Sequence, residues 1–113
     1  MRSRTVVIVH SDIGVAQKLA DDLQLYFGRI IVSGSAPDLR TLLGRQEMRG
    51  VVLDLESVEM EKVQRLARDF HNLTIVCTHR SPDERMWIAA LEAGASELCH
   101  TLDSNSMIRV LRV

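Results

Sequence analysis

A chain of 113 residues holds one domain and little more, and its 46% hydrophobic and 26% charged residues exclude a disordered segment. Fourteen basic residues against fifteen acidic ones leave a formal charge of -1, which excludes a global attraction to nucleic acid or to an anionic membrane. No apolar run is long enough to cross a bilayer, and the start Met1-Arg2-Ser3-Arg4 leads into an apolar run too short for a signal peptide, so a cytoplasmic protein is expected.

Short runs rich in Val, Ile and Leu alternate with longer amphipathic ones. Thr5–Val9 reads as the first strand. The spacing of Val15, Ala16, Leu19, Leu23 and Tyr26/Phe27 predicts a helix over 13–27, with Ser11 or Asp12 as its cap and Gly28 as its stop. Arg29–Ser33 is the second strand. Ala36–Arg45 is a helix that begins beside Ser35 with Pro37 in its first turn. Gly50–Asp54 is the third strand, and the helix predicted over 58–70 gathers Val63, Leu66, Ala67 and Phe70 on one face. A strand at 73–77 leads to a helix over 82–93, opened by Ser81 and Pro82 and closed by Gly94. Glu97–His100 is the fifth strand, and a short helix over 104–112 opens on Ser and Asn.

The strands are apolar on both faces, as in strands sandwiched between helical layers. Five repeats of strand then helix predict a three-layer α/β sandwich, a five-stranded parallel sheet with helices on both faces. The whole of 1–113 reads as one domain, and its apolar ending from Met107 to Val113 is that of a piece of a longer chain. In such sheets the working crevice lies at the carboxyl ends of the strands. That singles out His10, Ser11, Asp12, Gly34, Asp54, Glu56, Thr78, His79, His100 and Thr101.

Four landmarks then fall in order. Val6-Val7-Ile8-Val9 precedes His10 and Ser11. Val51-Val52-Leu53-Asp54-Leu55 ends a strand in an aspartate, and Ile75-Val76-Cys77-Thr78 ends one in a threonine. Leu91-Glu92-Ala93-Gly94-Ala95-Ser96 forms the turn before the last strand. Together they make the sequence resemble, over nearly its whole length, the receiver domain of two-component response regulators. The resemblance implies a flavodoxin-like sheet in the order 2-1-3-4-5 and a signalling module, not an enzyme. It implies Asp54 as phosphoacceptor, Thr78 as the hydroxyl that follows the phosphoryl group, and the backbone carbonyl of Glu56 as a magnesium ligand. It implies a sensor kinase or another signalling protein as partner, a fused output domain and a homodimer. The partner face would lie on the fourth helix, fifth strand and fifth helix, with Trp87, Leu98, Met107 and Leu111 as its candidates. Direct contact with nucleic acid or membrane is not expected of this domain.

The departures from the family pattern fall in the same crevice. Its acidic pair falls on His10 and Ser11, its lysine on Thr101, and its switch aromatic on Leu98. Magnesium favours carboxylate and water oxygens, and Ser11 offers no carboxylate. Imidazole suits softer metals. A phosphoryl group adds roughly -1.5 to -2 charge, here beside Glu56, Glu59 and Glu61. Impaired phosphorylation, a pseudo-receiver and no cofactor are therefore expected. The exception would be a weak magnesium site between Asp12 and Asp54, against which stands Asp12 as a plain helix cap. Asp54 itself has a second reading, as an acceptor for loop amides.

His10, Cys77, His79, Cys99 and His100 lie at one end of the expected sheet, but no zinc-ligand spacing links them. The two cysteines read as reduced core residues. Arg2, Arg4, Arg40, Arg45 and Arg49 are scattered and read as solvated. The alternative function is a non-phosphorylated structural or localisation domain of a larger ATPase or regulator. A nucleotide enzyme ranks last, because His10-Ser11-Asp12-Ile13-Gly14 carries no phosphate-binding fingerprint.

Overall fold

The computed structural model of the chain describes residues 3 to 113. Of the arginines expected to be solvated, Arg2 lies outside the described residues. Strands β1 (Thr5–Val9), β2 (Arg29–Ser33), β3 (Gly50–Asp54), β4 (Thr74–His79) and β5 (Glu97–His100) form one sheet in the order β2-β1-β3-β4-β5. Every pairing is parallel, so the flavodoxin-like order expected from the sequence is the one observed. Helices α1 (Ile13–Leu23), α2 (Ala36–Arg45), α3 (Met60–Asp69), α4 (Glu84–Glu92) and α5 (Ser104–Leu111) make the crossovers.

Strand alternation sorts the core into two layers. Val6, Ile8, Val52, Val76 and Cys99 pack under α1 and α5 with Leu19, Leu23, Met107 and Leu111. Val7, Val9, Val51, Leu53, Ile75, Cys77 and Leu98 pack under α2, α3 and α4 with Leu39, Val63, Leu66 and Ala90. β3 is buried along its whole length, so Asp54 at its end lies at the sheet's centre. Each fully buried Val, Leu or Ile contributes about 1.5–3 kcal/mol against conformational entropy.

Helix ends depart from expectation for local reasons. α1 stops at Leu23, where Gln24 is the cap, and a turn carried by Tyr26 N–H to Leu23 O (2.9 Å) drops Phe27 into the core. The apolar run Leu25-Tyr26-Phe27 thus imitates a helical stripe without being one. α3 starts at Met60, not 58, because the N–H groups of Ser57 and Val58 both close on Asp54 O (3.1 and 2.8 Å). α4 is capped by Asp83, whose side chain accepts the Met86 N–H at 2.8 Å, so Ser81 and Pro82 precede the helix. Asp103 caps α5 in the same way, through the Ser106 N–H. Gly94 closes α4 with φ +106°, and a Cβ there would lie 2.5 Å from the Ala67 Cβ, so both backbone and packing require glycine.

Burial corrects the expected partner face. Met107 and Leu111 are 0% exposed and Leu98 is 6% exposed, so all three belong to the core and offer no surface. The reason is geometric: α5 turns its apolar stripe onto the sheet. Trp87 is 44% exposed on α4, with Ile88 and Leu91 also on the surface, and its Nε1 donates to Glu97 Oε1 at 3.0 Å. Arg49 is not simply solvated either. It is half-buried and donates to the carbonyls of Ser3 and Leu111. Arg40 pairs with Asp69 and lies over the Phe70 ring.

Candidate functional site

The strand register brings the crevice residues together. Asp54 pairs with Thr78, and Thr78 with Cys99. Val9 pairs with Leu53, so the next residue along β1, His10, follows beside Asp54. The even positions of β3 and β4 that line the α1–α5 layer continue into Asp54 and Thr78.

Asp54 is 1% exposed. A buried polar group is costly unless hydrogen-bonded, and the chain supplies Asp54 with three donors. Oδ1 accepts the Glu56 N–H at 3.0 Å. Oδ2 accepts the Ser11 hydroxyl at 3.2 Å and the Ser57 hydroxyl at 3.1 Å. The Glu56 N–H gives Asp54 the loop-amide hydrogen bond that its second reading expects. Ser57 was not singled out in the sequence. The local signal was a serine three residues past the aspartate, where its hydroxyl also reaches the Asp54 carbonyl at 3.3 Å.

His10 Nδ1 lies 3.8 Å from Asp54 Oδ2. That nitrogen accepts the Asp12 N–H at 2.9 Å, so it carries no proton to give the carboxylate. The ring proton sits on Nε2, a buried atom without a hydrogen-bond partner among the described residues. The hydroxyl oxygens of Thr78 and Thr101 share that condition. Each unmet buried group costs about 1–3 kcal/mol, and all three gather at the carboxyl end of the sheet. Thr101 brings no positive charge to this end of the sheet.

Asp12 stands as the helix cap. Its Oδ1 accepts the Gly14 and Val15 N–H groups at 2.9 and 3.2 Å. The exceptional Asp12–Asp54 cation site would thus have one carboxylate engaged by α1 and the other by Ser11, Ser57 and Glu56. Glu56 turns its carboxylate to Arg80, accepting Nε at 2.8 Å and the backbone N–H at 2.9 Å, which ties the β3–α3 loop to the β4–α4 loop. Arg80, too, was not singled out in the sequence. Magnesium needs several hard oxygens free to face the ion, and here both Asp54 oxygens and Asp12 Oδ1 already accept hydrogen bonds. Among the described residues, no three His, Cys, Asp or Glu side chains are grouped for a metal.

The zinc-like constellation is taken up by the backbone. His79 Nδ1 accepts the Ser81 N–H at 2.9 Å and His100 Nδ1 the Leu102 N–H at 3.1 Å, as His10 does with Asp12. Cys77 and Cys99 are free thiols on opposite faces of the sheet. Burial, with the Cys99 thiol adding to it, pushes Cys77 up to about 12. Burial, then Asp103 and Glu97, does the same to Cys99.

Solved structures decide what this architecture is. It is the receiver fold. An orphan response regulator of H. pylori, HP1043, superposes with a TM-score of 0.82 at 13% identity over 96% of this chain and 92% of its own. A response regulator from Thermotoga maritima matches over 100% of both chains, with a TM-score of 0.77 and 18% identity. The beryllofluoride-activated NtrC4 receiver domain, a dimer, matches with a TM-score of 0.84 at 10% identity over 96% and 93%. No protein-family model matches the sequence, and no curated protein is significantly similar to it. Identities this low carry the fold alone.

Proposed function

We propose that this chain is a cytoplasmic receiver-type signalling domain that passes its signal by protein contact, with its acceptor-position aspartate held closed by its own hydroxyl groups. The carrying observation is the hydrogen bonding of Asp54. Both carboxylate oxygens are engaged, and Oδ2 takes two serine hydroxyls where a phosphoryl group would have to be built. Phosphoryl transfer to aspartate requires charge on the transferred oxygens to be neutralised. Here the added negative charge would meet Thr101 in place of a cation and no second carboxylate to hold magnesium. Phosphorylation by a kinase or a small phosphodonor is therefore impaired.

Contact is left to the surface. Trp87, Ile88 and Leu91 make an apolar patch on α4, and a half-exposed tryptophan is the residue type that most often anchors an interface. Its occupant would be a signalling partner, an output domain or a second copy. Among the described residues no helix is long and apolar enough to span a membrane. A purely structural domain of a larger ATPase or regulator shares the closed aspartate, and the remainder of the open reading frame separates the two.

The test is incubation with acetyl phosphate and magnesium followed by intact mass. The native chain and Asp54→Asn are both expected to keep their starting mass. A phosphoryl adduct on the native chain, lost in Asp54→Asn, contradicts the proposal.

A further inference from the structure

One carboxylate ties together the two loops that flank Asp54. Glu56 lies two residues past Asp54 and accepts the Arg80 Nε, at 3.1 Å on Oε1 and 2.8 Å on Oε2. Its Oε1 also takes the Arg80 backbone N–H at 2.9 Å. An ion pair between two exposed side chains contributes little. Here the Arg80 side chain is 79% exposed, but that of Glu56 is only 22% exposed, and both of its oxygens are engaged. The backbone sets the turn that presents Arg80. His79 Nδ1 accepts the Ser81 N–H at 2.9 Å, and the Leu55 N–H reaches Thr78 O at 2.9 Å, joining β3 to β4 just before the turn.

Charge gives this pair its consequence. The Glu56 N–H on Asp54 Oδ1 at 3.0 Å holds the Asp54 carboxylate against the backbone of the residue that carries a second carboxylate. Glu59 follows in the same loop, and its side chain makes no cap bond to α3. Like charges this close repel unless a cation stands beside them. Among the described residues, Arg80 is the cation paired with Glu56. His10 does not share that task, because its Nδ1, 3.8 Å from Asp54 Oδ2, accepts the Asp12 N–H. With the guanidinium charge removed, Glu56 gains by turning towards water and away from Asp54. That movement takes its N–H off Asp54 Oδ1, which has no other donor.

We infer that Arg80 is a positioning residue, a strap that keeps the Glu56 amide on Asp54 by balancing the Glu56 charge, and that its release uncovers Asp54 Oδ1. The inference rests on the reading of Asp54 as held closed by its own chain. The phosphodonor test of that reading follows a mass and the test of the strap follows one amide, so the two can fail separately. The experiment is amide hydrogen exchange of the 113-residue chain at one neutral pH, read residue by residue by NMR. Arg80→Gln keeps a polar side chain and removes the charge. It should speed exchange of the Glu56 amide roughly tenfold or more, while the amides of Val52 and Val76 in the core stay within about twofold of their native rates. Glu56→Gln keeps an acceptor and removes the repelling charge, so the residue 56 amide should exchange at close to the native rate. Combining the two substitutions should bring that amide back towards the native rate as well, which a merely structural contact would not do. A native rate at Glu56 in Arg80→Gln, fast exchange that persists in the double variant, or an equal acceleration at Val52 and Val76 would each overturn the inference.

Discussion

The chemistry of Asp54 turns on two hydroxyls. The structure puts the Ser11 hydroxyl on Asp54 Oδ2. An acid at that position would repel Asp54 unless a cation lay between them, whereas a serine donates to it. The placement of Asp54 and Ser11 at one end of the sheet was legible in the sequence from the strands they follow, but the hydrogen bond between them was not. Ser57 and Arg80 were not, because their roles depend on how the β3–α3 loop folds back, which periodicity does not encode. Removing one donor from a buried carboxylate costs about 1.5–3 kcal/mol. Ser57→Ala should therefore lose about that much stability in urea denaturation, with an unchanged fold by circular dichroism. A loss within error of zero would mean that the Ser57 hydroxyl is not holding the carboxylate.

At the scale of elements, alternation fixed the strands to within a residue or two, and the helix ends were the weak point. Three of the five helices start at aspartates, Asp12, Asp83 and Asp103, where serine or proline signals were equally visible. Asp103 yields a pH prediction. The Ser106 hydroxyl, then its backbone N–H, hold the Asp103 carboxyl below the usual carboxylate range against a smaller opposing effect of burial, with Arg109 and His100 helping. A depressed folded value means stability that is present above the unfolded value, about 3.9, and lost as pH falls through the folded one. Asp103→Ala should cost about 1 kcal/mol at neutral pH. Asp103→Asn, which keeps an acceptor for the Ser106 N–H, should cost less and flatten the acid limb of the stability profile. An acid limb identical in Asp103→Asn and the native chain would assign that limb to other groups.

The whole molecule is two apolar layers about one parallel sheet, and the cysteines report on both. The thiols are raised above their ordinary value, so the stability they contribute is complete below the unfolded value, about 8.5, and is lost as pH rises towards about 12. Both should resist iodoacetamide at pH 8 in the native domain and react together on unfolding. Reaction of one thiol alone would place a local opening on its face of the sheet. The layers also explain why α5 misled: spacing shows that it has an apolar stripe, but only the packed sheet shows that Met107 and Leu111 are spent inside it. What governs function in this account is whether the crevice can hold an ion beside Asp54, and calorimetric titration with magnesium answers that most directly. The native chain should give no saturable heat, and Ser11→Asp, with a second carboxylate facing Asp54, should gain a measurable site. Saturable magnesium binding by the native chain, abolished in Asp54→Asn, would contradict the account.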